Sequence, residues 1–189
     1  MASVLIVSTA EYISKFSAML SEAGFDEVYQ AHSGVEARHL IVERQYALMI
    51  INAPLADEFG YDLAIYAVEN TTMSVLLLTR ADVCDAVENK VEDYGVVVMS
   101  KPVTSEGMFK TLKAMYANHN RINSIIKSNR RLQDKIEELK LVDRAKCLLI
   151  AHEGMSEEQA HRYIETTAMD MRVSKKQIAE KIISIKQYD

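Results

Sequence analysis

The sequence predicts an α/β domain built on a doubly wound, five-stranded parallel sheet, followed by a long helix and a small three-helix unit. Three observations carry this. Over roughly the first 118 residues, apolar runs alternate with amphipathic helical patterns five times, the order that a parallel sheet requires. The central run "ALMIIN" is continuous rather than alternating, as in a strand covered on both faces. After Lys113, neither glycine nor proline occurs until Gly154, so Leu112 to Glu153 can form nearly one helix.

The elements follow in order. "SVLIVS" (3–8) reads as a buried strand. "YISKFSAMLSEAG" is a helix with Ile13, Phe16, Met19 and Leu20 at helical spacing, stopped by Gly24. "EVYQA" is a short strand and "SGVEARHLIVERQ" a second helix. "ALMIIN" is the third strand and "YDLAIYAVEN" the third helix. "SVLLLT" and "VVVMS" are strands flanking the helical "DVCDAVENKVEDYG", and a helix starts near Thr104. In such sheets the site lies at the carboxyl ends of the strands.

Within the long helix, Ile122, Ile125, Asn129, Leu132, Ile136 and Leu139 are spaced as the a and d positions of a heptad, with Asn129 at an a position. This predicts a short parallel two-stranded coil and hence a homodimer. Lys135 and Lys140, at g and e, bring like charges together in such a dimer. The alternative is a helix packed on its own domain. Beyond Gly154, "SEEQ" (Ser156 to Gln159) and "SKKQ" (Ser174 to Gln177) are capping-box starts of two further helices. Ala160, Tyr163, Ile164, Thr167 and Ala168 are expected on the inner face of the first, and Ile178, Ala179, Ile182 and Ile185 on that of the second. The domain boundaries read from the sequence are 1–118, 119–140 and 141–189.

The chain has 189 residues, 49% of them apolar, enough for one ordinary domain and a small one. No run of about 18 apolar residues exists, so no membrane span is expected. "MASVLIVSTAEY" lacks the basic start of a signal peptide, and the cytoplasm is the expected compartment. Cys84 and Cys147 cannot make a disulfide framework and read as small, buried or half-buried thiols. Residues 1–120 hold eight Lys and Arg against sixteen Asp and Glu, whereas residues 121–189 hold fourteen against eleven. An acidic front and a basic back suggest two jobs.

Little in the chain suggests an enzyme. It has no Gly-rich phosphate loop, no paired Cys or His at metal spacing and no nucleophile elbow. His32, His39, His119, His152 and His161 are scattered and read as surface or boundary residues. Neither metal nor cofactor is expected.

The strand ends are Ser8-Thr9-Ala10-Glu11, Asn52, Thr79-Arg80-Ala81 and Ser100-Lys101-Pro102. Their order and spacing resemble the receiver domain of response regulators, a flavodoxin-like fold, over about residues 3–118. In that family an acidic pair after the first strand binds Mg²⁺, an aspartate after the third accepts a phosphoryl group, and a Thr or Ser and a Lys read it. Thr79 and Lys101-Pro102 match. The acceptor position, however, is Asn52, and the acidic pair is Ser8 and Thr9. An amide is a very poor nucleophile, and Mg²⁺ wants carboxylate oxygens that these hydroxyls do not supply. Glu11 is a single carboxylate at a helix start. Asp57, Glu58 and Asp62 are expected to form a solvated acidic loop, and Lys101 to hydrogen-bond Asn52 or a strand-end carbonyl. The expected result is a degenerate phosphorylation site of Asn52, Ser8, Thr9, Thr79 and Lys101, a pseudo-receiver controlled from another surface.

The segment from Asp143 to Ile183 closely resembles the ANTAR RNA-binding domain. The resemblance rests on Ala145-Lys146, Gly154 followed by Met155-Ser156-Glu157, Ala160 with Tyr163-Ile164, Ala168-Met169 and Ala179. It implies binding to hairpin loops in nascent messenger RNA and antitermination of transcription, with a dimer presenting two such domains. Lys146 is the first candidate RNA contact, with Arg144, Ala145, Arg172 and Tyr163 beside it. Arg162, Lys175, Lys176 and Lys181 are further cations for phosphates. Thr166 and Met171 stand where basic residues are frequent in that family. A regulatory protein bound to the pseudo-receiver is a further candidate partner. The competing reading is a dimeric protein-interaction adaptor that has lost RNA.

Overall fold

The computed structural model describes residues 3–22 and 24–186. The chain forms two compact units that meet within one helix, between Ser124 and Ile125. The first is a five-stranded sheet of β1 (Ser3–Val7), β2 (Glu27–Ala31), β3 (Leu48–Asn52), β4 (Ser74–Arg80) and β5 (Val97–Lys101). Every pairing is parallel and the order is β2-β1-β3-β4-β5. The helices are α1 (Ala10–Glu22), α2 (Gly34–Glu43), α3 (Tyr61–Asn70), α4 (Cys84–Val91) and α5 (Ser105–Glu153), and single 3₁₀ turns flank α4.

The inner strands β1, β3 and β4 are apolar at nearly every position because both faces are covered, whereas the edge strands β2 and β5 keep exposed polar residues such as Glu27 and Ser100. Leu5, Val7, Met49, Ile51, Val75 and Leu77 point to one side, against Ala37 and Ile41 of α2, Leu63 and Ala67 of α3, and Val87 and Val91 of α4. Val4, Ile6, Leu48, Ile50, Leu76 and Leu78 point to the other, against Ile13, Phe16 and Leu20 of α1 and Met108, Leu112 and Met115 of α5. All five residues of β3 are buried. Gly60 starts α3 with φ +114°, and a Cβ there would lie 2.9 Å from Ile51 Cγ2. A side chain at this position would meet both strain and overlap.

His119 departs from the surface role expected for the histidines. It is buried, with Nδ1 2.8 Å from the Thr72 carbonyl and Nε2 2.8 Å from Asn123 Nδ2, and its ring lies parallel to that of Tyr116. These bonds satisfy a buried imidazole and make it structural.

The second unit joins the end of α5 to α6 (Glu157–Met171) and α7 (Lys175–Lys186). Gly154 leaves α5 through a left-handed turn, φ +65°. Both expected capping boxes form. Gln159 N–H donates to Ser156 Oγ (3.2 Å) and Ser156 N–H to Gln159 Oε1 (2.8 Å), and Ser174 with Gln177 repeats the exchange at 3.2 and 3.0 Å. The core is Val142, Ala145 and Leu149 of α5, Ala160, Ile164 and Ala168 of α6, and Ile178, Ala179 and Ile183 of α7. Alanines at contact positions let the helices approach closely.

Three expectations, for Tyr163, Ile185 and Cys147, are corrected. Tyr163 is not on the inner face of α6 but 46% exposed, because the buried stripe runs through 160, 164 and 168. Ile185 is likewise exposed, and Ile183 takes its place. Cys147 is exposed rather than buried, while Cys84 is half-buried as expected. The unbroken α5 is found as read. Along it Ile122, Ile125, Leu132, Ile136 and Leu139 are 39–59% exposed, with Asn129 exposed among them. This apolar stripe has no cover from the described residues.

Candidate functional site

At the carboxyl end of the sheet, β1, β3, β4 and β5 bring Ser8, Asn52, Thr79 and Lys101 together. Ser8, Asn52 and Thr79 are buried, whereas Thr9 and Glu11 are exposed. Asn52 Nδ2 donates to Ser8 Oγ at 2.9 Å. Lys101 Nζ donates to Asn52 Oδ1 at 3.0 Å and to the Ala53 carbonyl at 2.6 Å. Both expected roles for Lys101 are thus filled at once. Burial, with Arg80 nearby, holds its ammonium below the ordinary lysine range. The bonds preceding Pro54 and Pro102 are cis.

The acidic loop is not simply solvated, as the sequence suggested. The Asp57 carboxylate accepts the N–H groups of Gly34 (2.8 Å) and Val35 (3.0 Å), capping α2 from a distance of 22–23 residues. These bonds hold its carboxyl below the usual carboxylate range. Glu58 takes the Arg38 guanidinium through two oxygens, at 2.5 and 2.9 Å, and raises the Arg38 pKa. Asp62 lies exposed in the first turn of α3. The helix start and the guanidinium occupy two carboxylates of the loop. No group of His, Cys, Asp and Glu arranged to hold a metal occurs among the described residues.

The second candidate surface lies on the three-helix unit. Tyr163 projects into an open hollow of about 710 Å³ lined also by Gln159, Arg162, Thr166 and Asp170, beside the Gly154 turn. Arg144 and Arg172 are exposed. Arg172 adopts a left-handed conformation, φ +54°, where glycine is the usual residue, and its N–H reaches back to the carbonyls of Ala168 and Met169. Ala145 is fully enclosed and can touch no ligand; its methyl is a packing contact between helices, which corrects its place among the RNA contacts.

The cations divide into engaged and free. Lys146 Nζ pairs with Asp143 Oδ1 at 2.8 Å and Glu157 Oε1 at 3.3 Å, and its side chain is only 16% exposed. Those bonds, Asp143 first, raise its pKa. Lys175 pairs with Glu165, and Lys176 with Glu137 at 2.9 Å. Arg144, Arg162, Arg172 and Lys181 have no acidic partner among the described residues.

Comparison with known proteins agrees with both halves. Residues 130–183 match the ANTAR domain. The chain is 27% identical over 165 residues to the transcriptional regulatory protein PdtaR of Mycobacterium tuberculosis H37Rv, covering 87% of this chain and 80% of that one. It is 38% identical over 55 residues to the nitrate regulatory protein of Klebsiella oxytoca, covering 29% of this chain and 14% of that protein. A CheY-like receiver domain protein from Methanospirillum hungatei JF-1 superposes with a TM-score of 0.56 at 18% identity. That match covers 64% of this chain and 98% of the other, and at this identity it shows the fold alone.

Proposed function

We propose that this chain is an ANTAR response regulator, a dimeric, cytoplasmic antiterminator that grips hairpin loops of nascent messenger RNA and whose receiver takes no phosphoryl group. The observation that carries the RNA reading is the exposed ring of Tyr163 in an open hollow beside Arg162. Sequence-selective RNA readers stack unpaired loop bases on aromatic faces and hold the phosphates with cations. An aromatic ring turned to solvent, on a helix whose apolar stripe is already filled, fits that use. The left-handed Arg172 supports it too: strain of this kind is retained where a side chain has work to do.

The proposed contacts are Tyr163 for base stacking and Arg144 and Arg172 for phosphates. Lys146, the first choice from sequence, ranks behind them because it must leave Asp143 and Glu157 to meet RNA. Regulation through the pseudo-receiver is assigned to a bound partner rather than to phosphorylation. The amide of Asn52 is a poor nucleophile, and Ser8 and Thr9 offer Mg²⁺ no carboxylate.

The test is a mobility shift with a small hairpin library at two salt concentrations. Loss of stacking in Tyr163→Ala should cost about 1–3 kcal/mol for the preferred loop. Arg172→Ala should weaken all hairpins alike and flatten the log–log salt dependence by about 0.7–0.9. The engaged state of Lys146, Lys175 and Lys176 favours the adaptor reading. A full-length protein that shows no preference among loops, and no salt-dependent binding, would establish that reading instead.

A further inference from the structure

The strand ends of the receiver-fold unit hold an ammonium that no carboxylate balances. Lys101 Nζ gives two of its three protons to Asn52 Oδ1 and the Ala53 carbonyl, both neutral. The neighbouring carboxylates are committed: Asp57 caps α2, Glu58 holds Arg38, and Asp82 holds Arg80 at 2.7 Å. Arg80, the register partner of Lys101 across β4 and β5, adds positive charge to the same end of the sheet. A charge drawn out of water is costly unless an ion meets it. Lys101 is half-buried, so its third proton and its charge face the cavity, where an anion can take the place of water.

Above this ammonium lies a cavity of about 720 Å³ at the first turns of α1 and α5. Asn52 and Lys101 form its polar floor, Lys15 of α1 adds a second ammonium to the lining, and Tyr12, Phe16, Met19 and Val103 are its apolar walls. Its size is in the range of pockets for small organic molecules, which pair apolar walls with a few placed polar groups. We propose that this cavity binds a small organic monoanion, a carboxylate on an apolar body, with the carboxylate against Lys101 Nζ and the body between α1 and the segment after β5. Lys101 at the floor gives one carboxylate a direct partner, and Lys15 in the lining adds favourable charge without a second polar seat on the floor. The compact polar surface of a phosphate would leave the apolar walls of Tyr12, Phe16, Met19 and Val103 wet, whereas an apolar body covers them. The proposal goes beyond the RNA reading and stands apart from it, since it concerns binding to the receiver-fold unit alone.

The experiment is titration calorimetry of the full chain with phenylacetate, 3-phenylpropionate and octanoate. 3-Phenylpropionamide serves as the uncharged control and inorganic phosphate as the compact one. The expected result is a Kd of about 1 mM or tighter for at least one carboxylate, with the amide at least tenfold weaker and phosphate inert. Lys101→Met and Asn52→Asp should each lose at least tenfold, the first by removing the cation and the second by supplying an internal carboxylate. Circular dichroism checks that both variants are folded, and two independent variants guard against one that is not. Binding of none of the three carboxylates below about 5 mM overturns the proposal. So does amide binding equal to the acid, phosphate binding as tight as the carboxylates, or an unchanged Asn52→Asp. None of these outcomes bears on the hairpin assay.

Discussion

The stripe on α5 makes the dimer a quantitative matter. Ile122, Ile125, Leu132, Ile136 and Leu139 are each about half exposed in the single chain. Fully burying such a side chain contributes roughly 1.5–3 kcal/mol, so covering the exposed half contributes about 0.8–1.5. Ten such side chains in a two-stranded coil amount to about 8–15 kcal/mol. Against this stand an association cost of about 4–15 kcal/mol, the polar Asn129 layer and the Lys135–Lys140 repulsion. A dimer at micromolar concentration needs a net of about 8 kcal/mol, which this burial reaches only with an association cost at the low end of that range; the heptad reading predicts that it does. Replacing Leu132 and Ile136 by Asp removes four of the ten contacts, about 3–6 kcal/mol, and places four carboxylates at the seam. The dissociation constant should rise by at least two to four decades. Light scattering coupled to gel filtration, at about 10 μM chain, reads the result directly. A wild type already monomeric at that concentration refutes the heptad reasoning. A dimer that survives the double substitution unchanged places the interface elsewhere.

Two more predictions concern the receiver-fold unit. With acetyl phosphate and Mg²⁺ the intact mass should not rise by one acid-labile phosphoryl group, and Asn52→Asp alone should not restore the reaction, because Ser8 and Thr9 still supply no carboxylate to the metal; a labelled wild type would overturn the inert reading. The Asp57 carboxyl is held low by the Gly34 and Val35 N–H groups, so its contribution is complete above the ordinary carboxylate pKa and is lost as pH falls through its lowered value. Asp57→Asn should therefore unfold at lower urea than wild type at pH 7, with the gap closing in acid below about pH 3.8; a gap that stays constant down to acid unfolding would mean that the two bonds to α2 contribute nothing through charge.

The sheet was legible because buried parallel strands leave a coarse mark: runs such as "LMII" are apolar at every position, and each is followed by a helix of clear period. The capping boxes were legible because their partners are three residues apart. The positions that went astray depend on partners far along the chain or on a small angle around a helix. Asp57 reads as solvated until the fold carries it to the start of α2. Lys146 reads as free until Gly154 turns the chain and brings Glu157 within reach, although its Asp143 partner was visible at i−3. Tyr163 lies one residue from the 160–164–168 stripe, a rotation of about 100° that carries the ring to solvent. His119 becomes structural only through the carbonyl of Thr72, 47 residues earlier. The Lys101 bonds were foreseen because the strand-end positions in this topology are few and known in advance.

The trio of Ser8, Asn52 and Lys101 also bears on time. A switch that forms an acyl phosphate remembers its stimulus for as long as that bond resists water, and a phosphatase can shorten the memory. An amide held between a hydroxyl and an ammonium offers no such bond to make or break. Any signal entering here would last only as long as its carrier stays seated. The response would then follow the carrier's concentration in both directions, with a delay set by its dissociation rate and no separate enzyme needed to erase it.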